Sequence, residues 1–345
     1  MNNSNDREPK TSAELPLEYE TQILNSDASI VNRKSELDCL TNNDFDNFII
    51  FGVSCIGKTQ LSKNVAKHYN DCDNLVFWHR VYPQTGETQT KCFLELFANF
   101  LTLKCNDFNL SDYLKSHGIC FTNQLCILIE NILNKYKLHI FIDDMQSLAQ
   151  GNNPMFQILG VFSENINCKL YISGWYIAIP EQLTRRQRTM LVEVLPMNDE
   201  HIREVAKRVK SDISEEVLML VVEKSEGLPG IAEIIPYSDS WNEVNGLTDY
   251  FRKLLGKISS EEQILLYALA VSQKALLRSR VAEFGYSSAY DSLVSRYIVK
   301  EHERHITLHD KYRDSLLKTI DTIEPSAFAL LELCANDEPS ILITY

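Results

Sequence analysis

The chain has 345 residues, 44% of them apolar, and a formal net charge of -13. It is long enough to bury a large core in two or three domains, and its acidic balance argues against a general affinity for nucleic acid or for an anionic membrane, leaving only a local basic face for either. The start, Met1-Asn-Asn-Ser-Asn-Asp6, has no basic or apolar signal region, no apolar run is long enough to span a bilayer, and the nine cysteines are scattered without a C-x-x-C pair.

The expectation is therefore a cytoplasmic protein without a disulfide framework or zinc site, its cysteines buried as free thiols. Residues 1–28 are rich in Asn, Ser, Asp and Glu and read as a disordered lead-in. From Ser29 to Asp38 an apolar pair precedes Arg33 and a helix start containing Glu36 and Leu37.

Asn47 to Phe51 reads as a buried strand, and it runs into Gly52-Val-Ser-Cys-Ile-Gly-Lys-Thr59 and then a helix with Leu61, Val65, Ala66 and Tyr69 on one face. The spacing G-x-x-x-x-G-K-T is that of a phosphate-binding loop. A triphosphate is held by backbone N–H groups at a helix N-terminus, where the dipole favours anions, and Gly52 and Gly57 let the loop curl around it without a Cβ in the way. Lys58 reaches the β- and γ-phosphates and the Thr59 hydroxyl ligates Mg²⁺. Ser54, Ile56 and Gln60 complete the nucleotide-binding stretch. Cys55 lies inside the loop and reads as a tolerated small residue.

Asn74 to Val81 is a second strand, rich in β-formers. Helical spacing follows over Lys91 to Leu103 and Thr122 to Tyr136. Leu138-His-Ile-Phe-Ile-Asp-Asp144 is a continuous apolar run that ends in two carboxylates, as expected of a parallel strand buried on both faces. Ligands of open α/β sheets sit beyond the carboxyl ends of the strands, so Asp143 and Asp144 are delivered to the edge that carries the phosphate loop. Asp143 is the candidate for holding Mg²⁺ and Asp144 the candidate catalytic group, orienting or activating water. His139 reads as a core residue. Lys169 to Ser173 is a further strand, followed by Gly174-Trp175.

Beyond Pro196 the pattern is helical: one helix capped by Asn198 or Asp199, a second over Ser214 to Lys224, and an interruption at Gly227-Leu-Pro-Gly230. A helix C-cap followed by a stop accounts for that interruption on pattern alone. Ser259-Ser-Glu-Glu262 reads as a capping box. Helices over Leu276 to Phe284 and Ser287 to Ser295, short β-runs at Tyr297 to Lys300 and His305 to Leu308, and a helix from Lys311 to Ile320 predict a winged helix, with one more helix after Pro325.

Taken together from Ile30 to Ile320, these landmarks resemble the STAND class of signalling NTPases, in its NB-ARC or AP-ATPase type. Ile30-Val31-Asn32-Arg33 is similar to the family's opening motif, which lies against the adenine, so Val31 and Arg33 are implied as nucleotide contacts. Gly227-Leu228-Pro229 is similar to the family's Gly-Leu-Pro, which implies Pro229 near the base. Leu308-His309-Asp310 resembles Met-His-Asp, which implies that His309 contacts the β-phosphate of ADP. The implied fold class is an α/β P-loop NTPase domain with a doubly wound parallel sheet (29–195), then a helical domain (196–257), a winged-helix domain (258–322) and a helical tail (323–345).

Departures bear on activity. Cys55 and Asn32 stand where the family usually has glycine. Ser173-Gly174-Trp175 stands where it usually has a Thr or Ser followed by an arginine that senses the γ-phosphate. That charge then comes from Arg80 or Arg185 or is missing, and losing such an arginine costs orders of magnitude in rate.

The function implied is an ATP/ADP switch with Mg²⁺, slow at best as an ATPase. Its nucleotide state controls domain opening and oligomerisation in defence or stress signalling, through self-association or a separate effector or sensor protein. The alternative is a nucleotide-gated, DNA-binding transcriptional regulator, since Arg278, Arg280, Arg296, Arg304, Lys311 and Arg313 make the winged helix locally basic.

Overall fold

Four apolar segments that lack a strict in-out alternation form strands covered on both faces, and a fifth, more exposed segment pairs at the sheet edge. They are β1 (Asn47–Phe51), β2 (Leu75–Arg80), β3 (Leu138–Asp143), β4 (Cys168–Gly174) and β5 (Thr189–Glu193). In this computed structural model, which describes residues 32–42, 44–81, 86–118, 123–148, 153–175, 179–186, 188–237, 247–272, 276–295, 298–302, 305–308, 310–319, 327 and 330, the strands run parallel in the order β2-β3-β4-β1-β5. The lead-in, Val31, His309 and nearly all of the tail after 320 lie outside the described residues.

Around the sheet stand α1 (Lys34–Thr41), α2 (Lys58–Asp71), α3 (Gly86–Cys105), α4 (Asn109–His117), α5 (Asn123–Lys135), α6 (Met155–Glu164) and the short α7 (Glu181–Thr184). One sheet face carries Phe48, Tyr171, Phe141 and His139, with Phe141 and Phe48 stacked on either side of Tyr171 at 4.3 and 4.7 Å and Tyr69 of α2 laid over His139. The other face carries Phe77, which packs on Phe93, Phe97 and Phe100 of α3. Phe162 of α6 closes that layer against Phe93 and Phe97.

After β5 come α8 (Asp199–Val209), α9 (Glu215–Ser225), the single turn α10 (Pro229–Ala232) and α11 (Leu247–Leu255). Asn198, not Asp199, is the cap of α8: its side chain accepts from His201 N–H at 2.9 Å. The remainder is α12 (Ser260–Val271), β6 (Leu276–Leu277), α13 (Arg278–Glu283), α14 (Ser287–Ser295), β7 (Val299–His302), β8 (His305–Leu308) and α15 (Asp310–Leu317), with an antiparallel sheet in the order β6-β8-β7. The capping box is present, and Glu262 accepts in addition from the Ser292 hydroxyl at 2.6 Å, which ties α12 to α14.

Several expectations are corrected. The helix expected from Leu276 begins at Arg278, because Leu276 and Leu277 pair with Ile306 and His305. The strand expected at 297–300 is displaced to β7. β5 was not legible as a strand: it is the edge strand beside β1, and Val192 is its one buried residue. The cysteines of the described residues are all free, but only Cys55 and Cys168 are buried and Cys72 is exposed. No helix among the described residues is long and apolar enough to cross a membrane.

Two buried imidazoles give the fold an acid-sensitive side. Burial lowers His79 to about 4, and burial with the nearby Lys169 and His68 lowers His139 to about 4. Both are held neutral in the folded chain and protonate near pH 6.5 when it unfolds, so this contribution is complete above about 6.5 and is lost as pH falls toward about 4. His139→Phe, which keeps an aromatic ring against Tyr69 and removes an Nδ1 with no hydrogen-bond partner, is expected to cut the loss of stability between pH 7 and 5 by on the order of 1 kcal/mol. Urea unfolding at the two pH values checks this.

Candidate nucleotide-binding site

The loop between β1 and α2 owes its shape to its glycines and to hydrogen bonds from distant segments. A Cβ on Gly52 would stand 2.7 Å from the Val194 carbonyl oxygen, and Gly57 has φ 98 in the left-handed region. Lys58 Nζ donates to the carbonyls of Gly52 at 3.0 Å and Val53 at 2.9 Å, folding the cation back across the loop. Ser54 is half-buried, Ile56 is wholly buried and Gln60 is exposed, so Ile56 serves the loop through its backbone.

Register assembles the carboxylate side. Arg80 pairs with Asp143, and Ile142 pairs with Ile172, so Arg80, Asp143 and Ser173 sit side by side on the sheet face that α2 covers. Thr59 donates to Asp143 Oδ1 at 3.2 Å, and the Ser173 hydroxyl donates to the same oxygen. Asp143 Oδ2 is buried with no hydrogen-bond partner. Burial first, and then the charge of Asp144, push the Asp143 carboxyl up to about 6, against the pull of Arg80, Ser173 and Thr59. An orphaned carboxylate oxygen beside a threonine hydroxyl is a fitting donor set for a hard cation such as Mg²⁺, so Thr59 and Asp143 are the residues that would hold one.

Asp144 is differently placed. It follows the last residue of β3 with φ 59, and its Oδ2 accepts from Arg80 Nε at 2.6 Å and Nη2 at 2.5 Å. Its Oδ1 accepts from Gln146 Nε2 at 2.9 Å. Both oxygens of the candidate water-activating group are thus engaged. Of the two arginines considered for the γ-phosphate role, Arg80 lies at the site on Asp144, while Arg185 is exposed and pairs with Glu181 on α7. At the end of β4, Trp175 Nε1 donates to Ser54 Oγ at 3.2 Å, which sets an indole beside the loop.

The outer wall is made by segments far apart in sequence. Arg33, buried, donates through Nη2 to the carbonyls of Ile56 at 3.2 Å and Leu195 at 2.8 Å and pairs with Glu36 at 2.9 Å. Because a trans peptide sets its C=O and N–H in opposite directions, holding the Ile56 carbonyl turns the Gly57 N–H away from Arg33. Pro229 Cγ would lie 3.7 Å from a Cβ on Gly57, and Gly230 N–H donates to the Cys55 carbonyl at 3.0 Å. Asn32 joins the same wall to α8 through His201 Nδ1 at 3.0 Å.

The structure therefore brings together Arg33, the loop from Gly52 to Thr59, Asp143, Asp144 and Pro229. Val31 and His309 lie outside the described residues. The bonds of Ser173 to Asp143 and of Gly230 to Cys55 were not foreseen. Strand register was the missing information for the first, and a glycine one residue past a Gly-Leu-Pro turn was the available signal for the second.

No protein-family profile matches the chain, and no curated protein does. Among solved structures, it is similar to a signal transduction ATPase with numerous domains (STAND) carrying a tetratricopeptide-repeat sensor from Pyrococcus horikoshii, with 19% identity, a TM-score of 0.70, and 89% of this chain and 45% of that chain covered. The chain thus spans less than half the length of that protein. It also matches the Aeropyrum pernix Orc1 protein in complex with DNA (11% identity, TM-score 0.43, 93% and 97% covered) and AMPPCP-bound DnaA from Aquifex aeolicus (15%, 0.41, 78% and 88%). The fold is that of a P-loop NTPase.

Asp143→Asn removes the strained charge and the orphaned oxygen's affinity for a cation together. In EDTA the variant is expected to be more stable than the parent above pH 6 by on the order of 1–3 kcal/mol, with the gain shrinking as pH falls through about 6, where the parent's Asp143 takes up a proton. It should also lose any rise in melting temperature that Mg²⁺ gives the parent, which thermal melts with and without the metal measure directly.

Proposed function

We propose that this chain is a nucleotide-operated switch of the STAND class, of the NB-ARC or AP-ATPase type, that binds ATP or ADP with Mg²⁺ and turns over slowly. The observation that carries the reading is the contrast within one site. The phosphate loop is held by hydrogen bonds from three other segments, whereas Asp144 is neutralised by Arg80 and Gln146, and Trp175 stands beside Ser54. Such a site favours retention of a nucleotide over its hydrolysis.

In this reading Gly52, Ser54, Gly57 and Lys58 hold the phosphates, Thr59 and Asp143 hold Mg²⁺, and Arg33 and Pro229 wall the nucleotide. When bound, Mg²⁺ offsets the negative charge of the β- and γ-phosphates. Asp144 orients water only after Arg80 lets go of it. Residues 29–195 are the nucleotide domain, 196–257 a helical domain and 258–322 a winged helix. The order of α12 to α15 with a three-stranded antiparallel sheet supports the last of these. His309, at the junction of β8 and α15, bonds the β-phosphate of ADP and staples the winged helix to the nucleotide domain. Exchange for ATP breaks that contact and frees the domains to open and self-associate or to engage an effector in defence or stress signalling.

The energetics are those of a population shift: near-complete switching requires about 5.5 kcal/mol of differential affinity between states. One charge-assisted hydrogen bond from His309 supplies about 1.5–3 kcal/mol of it, so domain contacts supply the rest. DNA reading by the winged helix is the weaker alternative. Arg280 is paired with Glu283 at 2.6 Å and Arg278 lies over the Tyr290 ring at 5.1 Å, so two of its cations already have partners inside the fold.

Denaturing the freshly purified protein and identifying the released nucleotide by chromatography tests the proposal. Near-stoichiometric ADP is the expected result, and a chain that neither carries nor takes up adenine nucleotide contradicts it. His309→Ala is expected to raise the oligomeric fraction in sizing experiments while leaving nucleotide binding in place; identical profiles with both nucleotides would remove the histidine from the switch.

A further inference from the structure

The hydrogen bond from Gly230 to the phosphate loop continues beyond Gly230. Tyr312, on the first turn of α15, is buried and donates its hydroxyl proton to the Gly230 carbonyl. Its ring packs on Phe251 of α11, with centroids 5.8 Å apart. Gly230 N–H in turn donates to the Cys55 carbonyl at 3.0 Å. Two hydrogen bonds through one glycine thus join α15 to the middle of the loop.

We propose that Tyr312 is a positioning residue of the nucleotide site: by fixing Gly230 it sets the Cys55 peptide, and through the same contacts the loop reports its occupancy to α15. This rests on the nucleotide reading above. The N–H and C=O of Gly230 belong to different peptide units, so the link is mechanical. The Tyr312 hydroxyl donates to the peptide after Gly230, the N–H of the peptide before it donates to the Cys55 carbonyl, and glycine is the residue whose backbone is least able to hold both without help. Holding the Cys55 carbonyl toward Gly230 turns the Ile56 N–H to the opposite side, and that N–H is one of the loop donors available to a phosphate.

Steric contact makes the link short-ranged and stiff. A Cβ on Gly230 would stand 3.1 Å from Cys55 Cβ, 3.3 Å from its Cα and 3.3 Å from its carbonyl oxygen. Cys55 itself holds φ 66, a conformation that its Cβ disfavours. The loop therefore cannot change its curl at Cys55 without moving Gly230, and Gly230 cannot move without breaking its bond to Tyr312. Burial also raises the Tyr312 phenol well above its ordinary value, so the hydroxyl keeps its proton at any physiological pH and the link does not titrate.

The test is Tyr312→Phe in the full chain, which keeps the ring against Phe251 and removes only the donor. Three quantities are read: ADP affinity by calorimetry on nucleotide-stripped protein, the melting temperature without nucleotide, and the ADP-dependent protection of residues 310–317 from amide exchange. The proposal expects ADP affinity to weaken about tenfold, equivalent to about 1.4 kcal/mol, with protection of 310–317 no longer responding to ADP. A parent and a variant that bind ADP equally and protect 310–317 equally overturn it. A parent that binds no adenine nucleotide overturns the nucleotide reading as well, which separates the two failures. Should Tyr312→Phe not fold, Gly230→Ala applies the same test from the other side, because its added Cβ presses on Cys55 while the tyrosine stays: wild-type ADP affinity in that variant also overturns the proposal.

Discussion

Two carbonyl groups of one loop, those of Cys55 and Ile56, accept hydrogen bonds from segments that lie far apart in sequence: Gly230 N–H takes the first and Arg33 Nη2 the second. Most of the molecule's organisation around the site depends on this. A phosphate-binding loop is a run of backbone donors that must converge, and its carbonyls must therefore be directed elsewhere and satisfied there. Arg33 also grips the Leu195 carbonyl just past β5, so the segment before α1, the loop and the exit from the sheet are drawn to one guanidinium. The same residue types at the same spacing, without these outer partners, would leave buried carbonyls unpaired at a cost of about 1–3 kcal/mol each.

The parallel sheet does the complementary work on the acidic side. Placing β4 between β1 and β3 sets Ser173 next to Asp143, and placing β2 beyond β3 sets Arg80 next to the same pair of aspartates. Two adjacent carboxylates thereby acquire opposite characters. Asp143 is buried beside the Asp144 charge and keeps an orphaned oxygen, so its charged form is disfavoured even though two hydroxyls donate to it. Asp144, with φ 59 just past the strand end, turns toward Arg80 and Gln146 and is fully engaged. Neighbouring residues of one type are assigned different tasks by strand register and by one left-handed residue.

Much of this was legible in the sequence because it is local. The strand, the loop and the helix from Asn47 to Tyr69 follow one another without interruption, the apolar run from Leu138 ends in its two aspartates, and Ser259 with Glu262 forms its capping box as the spacing implies. What was illegible is non-local or weakly patterned. Edge strand β5 buries only Val192, so its three-residue apolar run from Met190 to Val192 carries little signal, and the two-residue β6 exists only because β8 pairs with it. Likewise, an exposed arginine cannot be told from a functional one by composition: Arg185 and Arg80 are equivalent on pattern, but strand register brings Arg80 to Asp144 while the i,i+4 spacing of α7 puts Arg185 on Glu181.

The cysteine inside the loop becomes coherent at the same place. A cysteine held at φ 66 costs on the order of 1 kcal/mol relative to a glycine in that conformation, and its Cβ needs room that a curled loop seldom has. That room is left by Gly230, where a methyl group would meet Cys55 at 3.1 Å. Side-chain volume absent from the partner segment is thus present in the loop, and the contact between the two is correspondingly tight. A loop built on glycine at this point can flex on its own; a loop built on Cys55 has to move with Gly230, and so with α15, whose Tyr312 holds Gly230. Stiffness of this kind slows local rearrangement around a nucleotide and couples whatever rearrangement occurs to the rest of the chain, which is what a switch requires and a fast enzyme does not.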